Sequence, residues 1–111
     1  MSLRLPLKKH WFEMTKSGVK TEDYRVINNY WCSRLLSNLE YITDYEGIQS
    51  VGGPIFKMFK YNILTLGYPA SGDTDRIIVL EHKGIEIRTG NPDWGAELNK
   101  LYFVIKHGTI I

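Results

Sequence analysis

Four charged side chains crowd into residues 17–25, SGVKTEDYR, directly behind a glycine that is placed to end a helix. Lys20, Asp23 and Arg25 combine a flexible point charge, a carboxylate and a planar guanidinium, which suits anion binding or proton transfer. On a strand, Asp23 and Arg25 point to one face and Glu22 points to the other. Two charged faces cannot both lie in a core, so we predict a functional site here.

An aromatic and polar run, Asn28-Asn29-Tyr30-Trp31, follows the charged segment almost at once. Aromatic rings beside basic groups suit planar ligands. Tyr68 follows a glycine at the end of a β-rich run, where it could stack on a base or cover the mouth of a barrel. The residues that we predict to contact a ligand are Lys20, Glu22, Asp23, Arg25, Tyr30, Trp31 and Tyr68.

The charged segment needs a rigid corner to hold it, and the sequence predicts one. Leucines alternate with other residues over positions 3–7, as in a strand, and residues 8–17 then have the pattern of a short helix. Gly18 is placed to end that helix, because glycine adopts the left-handed conformation without steric cost. Residues 20–26 are compatible with a strand, so the charged segment should leave the corner in an extended form.

A second helix is expected just after the charged segment. Asn28 or Asn29 should cap it, and its pattern runs to about Leu36 with Tyr30 among the buried positions. Cys32 lies within this helix and is expected to be a small apolar filler of the core.

Several short strands are predicted in the second half of the chain. They cover residues 61–66, 76–81, 85–89 and 101–106. The middle two are expected to form a hairpin around Lys83-Gly84. Short strands behind two N-terminal helices predict an α+β fold, a small mixed β-barrel, while residues 37–54 carry no pattern that we can assign.

Length and composition indicate one domain that spans residues 1–111. The chain is 43% hydrophobic, which is enough for one modest core. A formal charge of +2 and a pI near 8.7 are only weakly basic, so any basic site must be local. A single cysteine fits a reducing compartment, and no apolar run resembles a signal peptide or a membrane span. We therefore expect a cytoplasmic protein without a membrane partner.

The sequence offers no metal or cofactor motif. His10, His82 and His107 are too scattered to form a recognisable ligand spacing. Gly52-Gly53 is followed by proline and not by the lysine and helix start of a phosphate-binding loop. We predict neither a metal nor a cofactor.

The spacing of Gly18, Lys20, Asp23 and Arg25 resembles the signature of the ASCH domain family, a branch of the PUA-like β-barrel superfamily. Asp23 stands where that family usually has glutamate, so the carboxylate is kept but is one methylene shorter. Further matches to the small phage and bacterial members lie along most of the chain: the leucine-rich first strand, Tyr30-Trp31, Gly67-Tyr68, Gly90, Trp94-Gly95 and residues 102–105. The resemblance implies a PUA-like fold.

The same resemblance implies an RNA- or nucleotide-binding module, because the family is proposed to act in RNA metabolism and its PUA relatives bind RNA. In such a cleft, Arg25 would contact phosphate or a base edge and Lys20 would supply a flexible charge. Asp23 would orient the two cations. RNA or a nucleotide is therefore the expected partner.

Two alternatives stay open. Some ASCH-like proteins are amidohydrolases that deacetylate acetylcytidine and others are described as ribonucleases, so Lys20 and Asp23 could be catalytic. Asp23 occupies the position of the threonine nucleophile of the amidohydrolases and would have to act as a base on water, with Glu81 or Glu86 as the further acid. Alternatively, Lys20, Asp23 and Arg25 form a partly buried ion network that only supports the fold.

Overall fold

The computed structural model describes residues 1–37, 42–70 and 72–111, and within them it has one curled, half-barrel sheet of five strands and three α-helices. The elements are β1 (Ser2–Leu7), α1 (Lys9–Lys16), β2 (Glu22–Arg25), α2 (Asn29–Leu35), α3 (Tyr45–Ser50), β3 (Tyr61–Leu66), β4 (Ile77–Thr89) and β5 (Leu101–Ile110). The strands lie in the order β1-β3-β4-β5-β2, with β1 and β3 parallel and the other neighbours antiparallel. The predicted α+β class is therefore confirmed.

The two edge strands of this sheet are β1 and β2. All three leucines of β1 are buried, as their alternation predicts, so the strand turns Arg4 and Pro6 away from the core. Proline suits an edge strand because it has no N–H to donate to a neighbour. Arg25 of β2 donates a hydrogen bond of 2.9 Å from Nη2 to the Pro6 carbonyl, and this side chain thereby joins the two edges of the curled sheet.

The inner face of the sheet and the helices share one apolar core. Phe103 and Ile105 of β5 are fully buried there, together with Phe12 of α1 and Leu35 of α2. Cys32 is buried in the same core, as expected of an apolar filler. Because Asp23 and Arg25 pair with Ile105 and Phe103 in register, their side chains lie on this inner face.

The corner between α1 and β2 forms as predicted. The helix ends at Ser17, and Gly18 has a positive φ of 84°, the left-handed conformation that glycine tolerates. The backbone N–H groups of Val19 and Lys20 both donate to the carbonyl of Met14, which closes the last turn. The charged segment therefore enters β2 from a hydrogen-bonded helix end.

The predicted hairpin around Lys83-Gly84 is wrong, because β4 runs as a single strand through these residues. Gly84 has a φ of 107° and lies where the pairing register with β5 shifts, so it sits at a bulge and not in a turn. The last strand continues past the predicted end at Lys106, and its ten residues pair along much of β4.

Two further differences concern helices. Residues 37–54, which the sequence left unassigned, include α3, capped by Asp44 and anchored by the fully buried Ile48. Tyr30 was expected to be buried but is 59% exposed, while its neighbour Trp31 takes the inward position. Asn28 caps α2 as predicted. Among the described helices, none has the length and apolarity required to cross a bilayer.

A polar cluster crosses the middle of the sheet. The fully buried Asn62 of β3 donates from Nδ2 to His107 Nδ1 and accepts from His82 Nδ1, with 2.7 Å between the heavy atoms in each pair. Burial lowers the pKa of His107 from 6.5 to about 4, and burial also lowers the pKa of His82. Both imidazoles are therefore neutral in the folded protein at pH 7.

This cluster predicts that stability falls on mild acidification. Between pH 6.5 and 4 the unfolded chain protonates His107 while the folded chain does not, so the free energy of unfolding decreases as the pH falls through this window. For His107 alone we expect a loss of about 2 kcal/mol between pH 7 and pH 5. Urea unfolding at the two pH values measures it. His107→Gln should flatten the pH dependence of the free energy of unfolding, and His10→Gln, which changes an exposed histidine, should not. If both variants kept the same pH dependence, His107 would not be its source.

Candidate functional site

A cavity of about 290 Å³ opens where α1, β1 and β2 meet. Aromatic and cationic side chains dominate its walls. The described residues that line it include four aromatic residues, Trp11, Tyr24, Trp94 and Tyr102; three cations, Lys8, Lys20 and Arg25; and one carboxylate, Asp23. The cavity therefore contains the three motif residues of the charged segment.

Asp23 lies between the two cations of the motif. Its Oδ2 accepts a hydrogen bond of 2.6 Å from Arg25 Nε, and its Oδ1 is 3.4 Å from Lys20 Nζ. Lys20 and Asp23 are 2% and 4% exposed, so this is a buried ion network. Its two cations and one anion leave an excess of one positive charge beside the cavity.

Lys20 is held by the strand that it precedes. Its Nζ donates to the Glu22 carbonyl at 2.5 Å and to Asp23 Oδ1, and these contacts use two of the three N–H groups of the ammonium. The third N–H has no hydrogen-bond acceptor among the described residues, so it can donate to a ligand. Burial lowers the pKa of Lys20 below its usual 10.5, and the charge of Asp23 offsets part of that shift.

Arg25 is held in place by its neighbours, and part of its side chain lines the cavity. Its guanidinium carbon lies 4.8 Å from the ring centroid of Trp31, which is buried beneath it. Nε contacts Asp23 and Nη2 contacts Pro6, as described above. Trp31 thus supports Arg25 from below and is not among the described residues that line the cavity.

Glu22 points to the outer face of β2, away from Asp23, as the strand alternation predicts. It accepts from the Tyr24 hydroxyl at 2.6 Å and forms an ion pair with Arg88 of β4. These hydrogen bonds lower the pKa of Glu22 against the opposing effect of burial. Burial and the bond to Glu22 raise the pKa of Tyr24 to about 12, so its hydroxyl stays protonated at pH 7. Glu22 therefore orients a wall residue and does not line the cavity.

The far wall comes from the other end of the chain. Gly95 is left-handed with a φ of 100°, and a Cβ at this position would approach the Trp11 ring to 3.0 Å. Its lack of a side chain lets the segment of Trp94 lie against α1. Neither Trp11 nor Tyr102 was among the ligand contacts predicted from the sequence. The Trp94-Gly95 pair was the signal that could have pointed to this wall.

Two further concavities adjoin the cavity, one larger than it and one smaller. The outer groove, of about 650 Å³, shares Pro6, Leu7, Lys8 and Arg25 with it and adds Lys9, Leu66, Gly67, Tyr68 and Arg76. The end pocket, of about 180 Å³, is lined by Arg4, Pro6, Tyr30, Arg34, Thr65, Gly67, Tyr68 and Pro69. Tyr30 and Tyr68, which the sequence predicted as ligand contacts, therefore lie beside the cavity and not in it.

Comparison of the chain with protein-family models, with curated proteins and with solved structures finds no match. The resemblance to the ASCH family therefore depends on the sequence motifs alone.

The buried network predicts a strong dependence of stability on Asp23. Asp23→Asn leaves Lys20 and Arg25 buried without a counter-charge, so we expect the free energy of unfolding to fall by about 3 kcal/mol. Glu86→Gln makes the same chemical change at an exposed ion pair and should alter stability little. Urea unfolding at pH 7 compares the two variants, and equal losses would show that Asp23 does not hold a buried network.

Proposed function

We propose that this chain is an RNA- or nucleotide-binding module of the PUA-like class, which holds one base or nucleoside unit in the cavity beside Lys20, Asp23 and Arg25. The observation that carries the proposal is the excess positive charge of this buried network at the base of an aromatic cavity. A buried charge without a counter-ion is costly, and an anionic ligand would supply the counter-ion.

The walls favour a planar ligand over a simple anion. Trp11, Trp94 and the two tyrosines of the cavity offer ring faces, and bases of any sequence can stack on such surfaces. The volume lies near the lower limit of about 300 Å³ for small-molecule clefts, which suits one nucleoside-sized unit. In this arrangement the free N–H of Lys20 and the guanidinium of Arg25 contact the base edge or the phosphate.

The residues by which the chain resembles the ASCH family, Lys20, Asp23 and Arg25, also line the cavity. The resemblance therefore favours the same site and the same class of ligand. Lys20 and Asp23 are almost wholly buried, so the motif is not an ordinary solvated ion network. A buried network that only supports the fold is separated from a binding site by the variants below.

The test is a binding screen with AMP, CMP, GMP, UMP and cytidine at 50 and 200 mM salt. All three tryptophans lie at or beneath the site, so intrinsic fluorescence should respond, and calorimetry provides a second readout. We expect binding of at least one mononucleotide that weakens with added salt. Arg25→Ala and Trp94→Ala should each weaken it about tenfold or more.

Arg25 also bridges β1 and β2, so its variant can lose binding through loss of the fold. Lys8→Ala removes an exposed rim cation outside the ion network and should weaken binding without lowering the melting temperature. Lys16→Ala, an exposed lysine of α1 outside the cavity, is the matched control. Suppose that Lys20→Ala and Arg25→Ala lower the melting temperature but leave nucleotide binding intact, and that Lys8→Ala and Trp94→Ala do not weaken binding. The network would then serve the fold alone.

One observation favours a hydrolase as the second candidate: burial lowers the pKa of Lys20, as a lysine that accepts a proton requires. Glu81 and Glu86, the acids considered from sequence, are ion-paired on β4 and do not line the cavity. Asp23 would therefore have to activate water by itself. Incubation with N4-acetylcytidine separates the candidates, because release of cytidine that disappears in Lys20→Met would establish hydrolysis.

A further inference from the structure

We propose that the outer groove and the end pocket bind a single-stranded polynucleotide whose backbone runs along the solvent face of β1, with one base stacked on Tyr68. This inference rests on the proposed function, because it extends the ligand of the cavity into a continuous strand. The three concavities share Pro6, and the cavity and the outer groove also share Lys8 and Arg25, so a strand can pass between them without leaving the surface.

The distribution of charge is the first support. Among the described residues, the three concavities are lined by seven of the chain's 14 lysines and arginines but by one of its 12 acidic residues, the already paired Asp23. The formal charge of the whole chain is only +2. Half of the lysines and arginines therefore line three adjoining concavities, which is the electrostatic footprint expected for a phosphate backbone.

Strand geometry makes this face continuous. Because the leucines of β1 point inward, Arg4, Pro6 and Lys8 all lie on its outer side, and these residues span about 13 Å of extended chain. Arg4 lines the end pocket, Lys8 lines the outer groove and the cavity, and Pro6 lines all three.

Tyr68 is the second support. Its side chain is 93% exposed, and it lies at the junction of the outer groove and the end pocket. On the end-pocket side, the guanidinium carbon of Arg34 lies 5.3 Å from the ring centroid of the exposed Tyr30. The Nε of Arg34 is buried without a hydrogen-bond partner among the described residues. Exposed rings between cations match the alternation of stacking surfaces and phosphate contacts that single-strand binders use.

Besides Lys20 and Arg25, which share Asp23, two more of these seven cations have acidic neighbours. Arg76 pairs with Asp73 at 3.4 Å, and Lys9 pairs with Glu13 at 3.7 Å. Both pairs are largely exposed, so solvent screens them and either cation can turn to a phosphate at little cost. A duplex would hide the base faces that Tyr68 and the cavity require, which is why the ligand is single-stranded.

The experiment measures fluorescence anisotropy of a labelled U12 RNA, beside calorimetry of UMP, at 50 to 200 mM salt. We expect U12 to bind more tightly than UMP. Tyr68→Ala should weaken the binding of U12 about tenfold and leave the binding of UMP unchanged, and Tyr68→Trp should keep the wild-type affinity for U12. Arg76→Ala should reduce the slope of log K against log salt by about 0.7. Tyr45→Ala and Lys16→Ala are controls for an exposed tyrosine and an exposed lysine outside the three concavities.

Each outcome separates this inference from the proposed function. If UMP binds but U12 binds no better, or if Tyr68→Ala matches wild type, the groove inference is wrong and the cavity assignment stands. If U12 binds with the expected Tyr68 dependence while none of AMP, CMP, GMP and UMP binds, the groove is supported and the cavity assignment fails. Displacement of U12 by heparin without any effect of Tyr68→Ala would reveal a general polyanion surface and overturn the inference. A dT12 arm shows whether the strand must be RNA.

Discussion

The hydrogen-bonded path from Asp23 through Arg25 to the carbonyl of Pro6 is the constraint on which the site depends. β1 and β2 are opposite edges of the sheet and are not paired with each other, so a side chain joins them in place of a backbone ladder. A guanidinium suits this role because its planar, rigid fork holds its donors in fixed directions, whereas the donors of an ammonium rotate at the end of a flexible stem. The same fork lines both the cavity and the outer groove.

The buried ion network of Lys20, Asp23 and Arg25 is a poor source of stability for the fold. Buried ion pairs gain little net stability, because desolvation offsets much of the Coulombic attraction, and apolar residues of similar volume often serve a fold as well. A network with one surplus cation is a still poorer choice for stability alone. The surplus charge is therefore the feature of the network that the proposed anionic ligand would explain, and Asp23 is placed between the two cations.

Local chemistry made part of this structure predictable from sequence. The first strand, the helix end at Gly18 and the Asn28 cap each depend on residues a few positions apart, and all three predictions are confirmed. Gly84 was misassigned because a left-handed glycine suits a turn and a bulge equally, and only the length of the partner strand decides between them. The Trp94-Gly95 pair marked a segment of interest but not its position against α1, since Trp94 reaches the cavity only through tertiary packing.

The alternation in β1 links the core to the charged face. Each leucine that β1 places inward fixes the neighbouring residue outward, so the pattern that builds the core also places Arg4 and Pro6 at the end pocket and Pro6 and Lys8 at the outer groove. Proline within this edge strand has no N–H to donate, so it disfavours the addition of another strand. Association with a charged partner is guided by the local field and not by the net charge, so a formal charge of +2 is compatible with the proposed polyanion.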